Sequence, residues 1–333
     1  LTSPASGPST APVVSILVIS YNTREMTLAC LASVEAETRT PHEVIVVDNA
    51  SEDQSAEAIQ AAFPRMCVVA SDRNHGFAMG NNIAADQASG EYLLLLNPDT
   101  VVLDGAIDRL VDFARLHPEA GIWGGVTFFG DGTLNPSNAF ARMTIWSLMS
   151  QGLGLTALFR GSPVFNPEAY PGWDRTTPRS VDIVSGCFFL ISRKLWTELG
   201  GLDASFVMYG EEADLCLRAA RLGWRPAITP TARIIHYGGA SERVRADKFV
   251  RLLRAKVSLV DRHLRPLQRP IGRGLLQLWP ASRMLAHRLL RRHDSAAVWG
   301  EVWHRRAEWR DGYPTAREPS PAGLIAAGPR RSP

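Results

Sequence analysis

The sequence predicts an α/β fold, a doubly wound sheet flanked by helices, followed by a basic helical extension. Three observations predict it. Short apolar, β-branched runs alternate with stretches of helical periodicity over the first hundred residues, as in a sheet whose strands are joined by crossover helices. Each run ends in a cluster of Asn, Asp, Ser or Gly. The charge is divided: residues 242–333 carry 20 Lys/Arg and 8 Asp/Glu, leaving 16 basic and 25 acidic residues for the rest of a chain with net charge +3. An acidic body and a basic tail imply different tasks.

Residues 13–20 (VVSILVIS) read as a buried parallel strand. Residues 24–35 place Met26, Leu28, Leu31 and Val34 at helical spacing. A second strand at 43–47 ends in Asp48-Asn49, and a helix follows over 53–62. A third strand at 66–70 leads to Asn74-His75-Gly76, a helix is expected over 83–89, and a fourth strand at 92–96 ends in Asn97-Pro98-Asp99. Ligands of open α/β sheets bind beyond the carboxyl ends of the strands. Ser20-Tyr21-Asn22 and the three later clusters therefore converge on one site. A single such cluster is ordinary turn chemistry; four in register are not. Neither a GxGxxG nor a Walker-type loop follows a strand, which removes support from the two commonest nucleotide folds.

The second half predicts a strand over 181–192 containing Gly186 and a short helix over 193–199. A further helix over 211–222 has acids in its first turn and arginines in its last, matching the helix dipole. Its inward stripe is Ala213, Leu215, Cys216, Ala219 and Leu222, and Asp214 is placed to pair with Arg218 one turn on. A last strand covers 233–236.

In order, ILVISYN, VIVVDNAS, NHGFAMGNN, LLLLNPD, DIVSGCFFLISR, FVMYGEEADLCLR and IIHYGG resemble the family 2 glycosyltransferases of GT-A fold. The similarity is greatest to the bacterial rhamnosyltransferase and galactofuranosyltransferase-like branch, and it covers residues 13–241. The resemblance implies inverting transfer of a sugar, such as rhamnose from dTDP-rhamnose, from a nucleotide-diphosphate donor to an acceptor hydroxyl in cell-surface glycan assembly. It implies Glu212 as general base, with Glu211 orienting it; two adjacent carboxylates raise one pKa, which suits a base near neutral pH. The family's usual second acid is Asp, so Glu212 is one methylene longer. Asp99 at a strand end suits Mg²⁺ or Mn²⁺ held against a diphosphate. Asn97 replaces the first acid of the usual Asp-x-Asp, and His236 is the second candidate metal ligand. The same resemblance assigns Ser20, Tyr21, Asn22, Asp48, Asn74, Gly76, Asn82 and Asn97 to the nucleotide-sugar. Tyr21 would stack on the base and Asp48 would accept a pyrimidine imide N–H, favouring a dTDP- or UDP-sugar. Gly186 lies in a segment that family members place near the donor sugar or acceptor, and Trp173-Asp174 in the loop before it resemble sugar-stacking chemistry.

The expected organisation is a lead-in over 1–12, a glycosyltransferase domain over 13–245, a basic amphipathic extension over 246–311 and a disordered tail over 312–333. The Ser/Pro-rich start lacks the charge and apolar run of a signal peptide, and no run of about 18 uncharged apolar residues predicts a spanning helix. Cys30, Cys67, Cys187 and Cys216 are too widely spaced for a zinc pair and are expected as buried, reduced thiols of a cytosolic protein. Residues 249–264 and 275–290 combine apolar stripes with arginines, which fits peripheral contact with the cytoplasmic face of an anionic membrane as well as a packed helical lid. A glycan or lipid-linked molecule is the expected acceptor, and no nucleic-acid recognition motif accompanies the charge. A sugar-phosphate nucleotidyltransferase would need a Gly-rich basic loop after the first strand, where the chain has SYNTREM. The other alternative is a catalytically inactive, glycosyltransferase-like binding module.

Overall fold

A computed structural model describes residues 11–238 and 245–314. The parallel half of the sheet is formed by β1 (Val14–Ser20), β2 (His42–Asp48), β3 (Cys67–Ala70) and β4 (Tyr92–Leu96), linked by α1 (Arg24–Glu37), α2 (Ser55–Ala62) and α3 (Gly76–Asp86). Every residue of β1 and β4 is buried, which is why these strands read as unbroken apolar runs. Alternate residues serve opposite faces. Leu17, Ile19, Ile45, Leu93 and Leu95 enter one core; Ile16, Val18, Val44, Val46, Leu94 and Leu96 enter the other.

Residues 100–180 contribute pieces that the sequence did not resolve. These are β5 (Thr100–Leu103), α4 (Ala106–Leu116), β6 (Ile122–Phe128), β7 (Leu134–Asn135), β8 (Ala139–Phe140), α5 (Ile145–Gly152), α6 (Leu155–Leu158) and β9 (Arg179–Ser180). The expected strand over 181–192 is two strands, β10 (Ile183–Val184) against β8 and β11 (Phe188–Ser192) in the main sheet. Gly186 lies in the break between them. After α7 (Arg193–Leu199) and α8 (Glu211–Arg221), β12 (Ala227–His236) completes the order β3-β2-β1-β4-β11-β6-β12-β5. The sheet is mixed: β11 is antiparallel to both β4 and β6, and β5 to β12.

Some expected boundaries move. The helix expected from residue 83 already begins at Gly76; Gly76, Gly80, Asn81 and Asn82 break up the apolar period around Phe77 and Met79. Leu222 ends α8 exposed rather than in its buried stripe, and Cys67 is exposed on the edge strand while the other three cysteines are buried.

α9 (Arg245–His263), α10 (Arg269–Leu289) and α11 (His293–His304) enclose a third core of Val250, Leu253, Val257, Leu276, Trp279, Trp299 and Trp309, joined by Leu148 of α5. α10 continues through Pro280, which is buried with Trp279; packing there outweighs the cost of an interior proline. Residues 1–10 and 315–333, most of the expected lead-in and tail, lie outside the described residues. Gly312 to Pro314 do not behave as a free tail: Tyr313 is buried, its N–H donates to Ser258 Oγ (2.7 Å) and its hydroxyl donates to the Met208 carbonyl (2.9 Å).

Among the described residues no helix is long and apolar enough to cross a membrane. α8 and α9 are joined at Asp214. One of its carboxylate oxygens accepts from Arg218 Nε (2.7 Å), the other lies 2.8 Å from His263 Nε2. Burial pushes the Asp214 carboxyl up, but His263 and Arg218 outweigh it and hold the carboxyl below its ordinary value. A depressed carboxylate stabilises above its unfolded pKa and loses that contribution as pH falls through the folded one. Asp214→Ala should therefore destabilise by about 3–5 kcal/mol at neutral pH, read by urea unfolding, with the deficit shrinking in acid. A neutral-pH loss below about 1 kcal/mol would show that the pair does not fasten α8 to α9.

Candidate active site

The carboxyl ends of β1, β2, β4 and β12 meet along one rim, and hydrogen bonds trace it. Asp48 ends β2; its Oδ2 accepts from the Ser51 N–H (3.0 Å), while Oδ1 is buried without a protein partner. The neighbouring Asn49 donates from Nδ2 to the Gly76 carbonyl (3.1 Å), tying β2 to the start of α3. Gly76 has φ +76°, and a Cβ there would lie 2.6 Å from the Val207 carbonyl oxygen. The close approach that demands glycine is thus to the loop before Glu211. Next along the rim, the Phe77 ring lies against Gly186, and Gly186 lies against Glu212.

Glu211 and Glu212 occupy the first turn of α8, after Gly210 at φ +89°. Glu211 is buried and Glu212 partly exposed, and each has a buried Oε2 without a hydrogen-bond partner. Burial and then the neighbouring Glu212 push the Glu211 carboxyl well above the ordinary range. Burial also raises Glu212, opposed by backbone N–H groups that include Gly186. Two carboxylates so close share their protons as a pair. A carboxylate with a raised pKa and an unspent oxygen is suited to accept a proton near neutral pH.

On the other side of Gly186, the carbonyl of Cys187 accepts from the Asn97 N–H (3.1 Å). Asn97 Nδ2 is 3.4 Å from His236 Nε2, and His236 Nε2 is 3.3 Å from Asp99 Oδ1. Register makes this meeting: β5 and β12 pair with Thr100 opposite His236, so Asp99 stands beside the end of β12. The Tyr237 and Gly238 N–H groups donate to the Asp99 carbonyl and Oδ2, both at 3.0 Å. Burial lowers a histidine, but the Asp99 carboxylate and the Cys187 sulfur overcome it and push His236 up to about 10.

Asp99 and His236 fit a divalent cation. Their facing atoms are separated by 3.3 Å, close to the spacing of adjacent ligands each about 2.1 Å from one ion. No group of three or more His, Cys, Asp or Glu able to hold a metal occurs among the described residues. Two protein ligands would leave the remaining positions to water and to phosphate oxygens, the usual arrangement for Mg²⁺ with a phosphorylated substrate.

Several expected residues have structural employment. Ser20 is buried, its hydroxyl 3.1 Å from Thr27 Oγ1. Asn22 joins the β1 and β2 loops, accepting from the Glu52 N–H (2.8 Å) and donating its own N–H to Ser51 Oγ (2.9 Å). Asn82 exchanges two hydrogen bonds with the Leu202 backbone, so its amide braces α3 instead of facing the rim. Asn74 accepts from the Gly76 N–H (2.8 Å), and Tyr21 is exposed with its ring available.

Trp173 and Asp174 lie in a loop tied through Arg175 to Asn138, whose carbonyl accepts from the Ser185 N–H. Trp173 is buried with Arg175 and Arg179 over its ring, so it offers no face for sugar stacking. Asp174 closes its own turn with Thr176. The strand that follows them, β9, pairs with Ala227 and Ile228, at the opposite end of β12 from His236.

The sequence missed Cys187, Phe77 and Tyr313. Cys187 sits inside what reads as one strand; its only signal is the small Ser-Gly-Cys interruption. A cleft of about 530 Å³ lined by Asp261, Arg262, Arg269, Arg273, Asp311 and Tyr313 lies on the helical side of Tyr313. Its Arg262 and Arg273 are already paired with Asp203 and Asp261, so it adds nothing to the rim.

Comparison with known proteins supplies a family and a fold. The family described as glycosyl transferase family 2 matches residues 15–200. The O-antigen biosynthesis protein RfbC of Myxococcus xanthus is 34% identical over 239 residues, covering 71% of this chain but only 18% of its own length. An N-acetylglucosaminyl-diphospho-decaprenol L-rhamnosyltransferase of Mycobacterium tuberculosis is 26% identical over 243 residues, 68% of this chain and 76% of that protein. The solved mannosyltransferase of Pyrobaculum calidifontis, in complex with GDP-Man and Mn²⁺, superposes with a TM-score of 0.55 over 92% of this chain and 87% of its own, at 18% identity. That likeness establishes the GT-A fold.

Proposed function

The chain belongs to glycosyl transferase family 2, and from that premise we propose that it is an inverting transferase moving one sugar from a nucleotide-diphosphate donor to an acceptor hydroxyl. The observation that carries this is the Gly186-Cys187 bridge, with the raised Glu211 and Glu212 carboxyls on one side of it and Asn97, Asp99 and His236 on the other.

In this mechanism the acceptor hydroxyl gives its proton to Glu212 while its oxygen bonds to the anomeric carbon. The bond from that carbon to the diphosphate oxygen breaks, and its electron pair leaves with the diphosphate. Glu211 keeps the pair's protons shared and its neighbour oriented. The free Asp48 Oδ1 accepts an N–H from the base, and Tyr21 supplies a ring face. A divalent cation on Asp99 and His236 would neutralise charge gathering on the diphosphate. Attack on the face opposite the leaving group inverts the anomeric centre; NMR of the product reads this, and retained configuration would contradict it.

The Mycobacterium tuberculosis relative is named for transfer of L-rhamnose to a diphospho-decaprenol-linked sugar. That favours dTDP-rhamnose or a related UDP-sugar as donor here, and a glycan or lipid-linked acceptor in cell-surface glycan assembly. A lipid-linked acceptor places the chain against an anionic membrane, at its cytoplasmic face. The domain reading, transfer over 13–245 and a helical extension over 246–311, supports the same division of labour.

The test is thermal-shift binding of UDP, dTDP, GDP and ADP, each with and without Mn²⁺ or Mg²⁺. A ligand at a hundred times its Kd stabilises by about 2.7 kcal/mol. UDP or dTDP should raise the melting temperature, more so with metal, and Asp48→Ala should weaken that preference over GDP and ADP. No shift with any nucleotide would contradict the donor site and favour an inactive binding module.

A further inference from the structure

α10 carries two apolar stripes. Gly272, Leu276 and Trp279 are buried against the third core. Ile271, Leu278, Leu285 and Leu289 recur at intervals of seven, seven and four residues, which keeps them in one line along the helix. All four are exposed, Leu285 by 57% and Leu289 by 76%. A helix packed only on its own protein needs one stripe. The end of α5 and the short α6 lie alongside: a Cβ on Gly152 would sit 3.4 Å from the Leu278 side chain, and Leu153 and Leu158 are exposed.

Several charges around the end of α10 and the α5–α6 turn are uncompensated, with the Arg283 guanidinium 3.9 Å from where a Cβ on Gly154 would sit. Arg218, Arg262, Arg273 and Arg305 each hold a carboxylate. Arg160, Arg283, Arg288, Arg291 and Arg292 have none within ion-pair distance among the described residues. Burial, then the nearby Arg160, lowers the pKa of Arg283, as expected where positive charges gather without a counter-ion.

We infer that this face docks on an anionic phospholipid bilayer, with the leucines of α10 and of the α5–α6 turn entering the acyl boundary and the arginines meeting headgroup phosphates. Charge decides the occupant. A two-fold pairing with a second copy would set these unpaired arginines against themselves, whereas an anionic bilayer supplies both the apolar layer and the missing negative charge. The inference deepens the membrane contact proposed above by naming its face and its lipid, and it rests on that reading for its purpose.

Sedimentation of the full chain with vesicles tests it, using phosphatidylcholine alone or mixed with phosphatidylglycerol. Binding is expected only to the mixed vesicles and should weaken with salt. Arg160→Ala with Arg288→Ala should weaken it about thirtyfold, and Leu285→Asp with Leu289→Asp by about tenfold or more. Both variants alter surface groups and should keep the nucleotide-induced melting shift of the parent. Absence of vesicle binding, or equal binding by parent and variants, would overturn the inference. So would a dimer seen by gel filtration that the leucine substitutions dissolve, without vesicle binding. Vesicle binding together with no nucleotide shift in the parent would strike the transferase reading and leave the docking face standing.

Discussion

Replacing Glu212 with Gln should lower kcat by about 10²–10⁴-fold with little change in the donor's KM, the usual range for loss of a general base. Gln keeps the shape but cannot take the acceptor's proton. The acid limb of the pH profile supplies a second measurement. The Glu212 carboxyl is raised by burial above its ordinary 4.5, so activity in the parent should rise with pH over a range above that value. Glu211→Gln separates charge from catalysis. A carboxyl raised in the folded state contributes stability that is fully present below its unfolded pKa and is lost as pH rises through the folded one. At neutral pH the buried pair therefore costs stability, and Glu211→Gln should raise the melting temperature there while leaving it unchanged below pH 4.5. Full turnover in Glu212→Gln would remove the base assignment.

Asp99→Ala should abolish the metal-dependent part of nucleotide binding and lower turnover by about a hundredfold or more. Calorimetric titration of UDP or dTDP with and without Mn²⁺ distinguishes this from general damage. The affinity without metal should persist, because Asp48 and Tyr21 are untouched. His236→Ala should have the same phenotype, and the double variant should be little worse than either single one, since two ligands to one cation act as a unit. Additive losses in the double variant, or an unchanged metal effect in either single one, would contradict a shared ion.

How far the sequence carried the fold depends on how many faces each element buries. β1 and β4 are covered on both sides and were legible as apolar runs. β5 and β6 were not, because β5 follows β4 after only Asn97-Pro98-Asp99 and β6 is interrupted by Gly124-Gly125. A Cβ at either glycine would collide with Val184 or with the Ala232 carbonyl, a packing demand invisible without the partner strands. The rim was legible as strand-end clusters. What the sequence could not sort was which polar residues face it. Asp48 and Asn82 look alike as motif residues, yet Asp48 keeps a free oxygen while Asn82 spends its amide on Leu202. Trp173 carried an aromatic-loop signal that core packing explains instead.

The fastening of Tyr313 to the Met208 carbonyl has a consequence in time. The two residues lie 105 positions apart in the chain. At about 5–20 residues per second, a ribosome needs roughly 5–20 s to pass from one to the other. Throughout that interval strands β1 to β4 have already been made, while the loop that delivers Glu211 and Glu212 has no Tyr313 to hold it. A nascent chain thus completes the strands that carry Asp48 and Asp99 before Tyr313 can hold the loop ahead of Glu211 and Glu212, and the two parts of the rim should be finished in that order during synthesis.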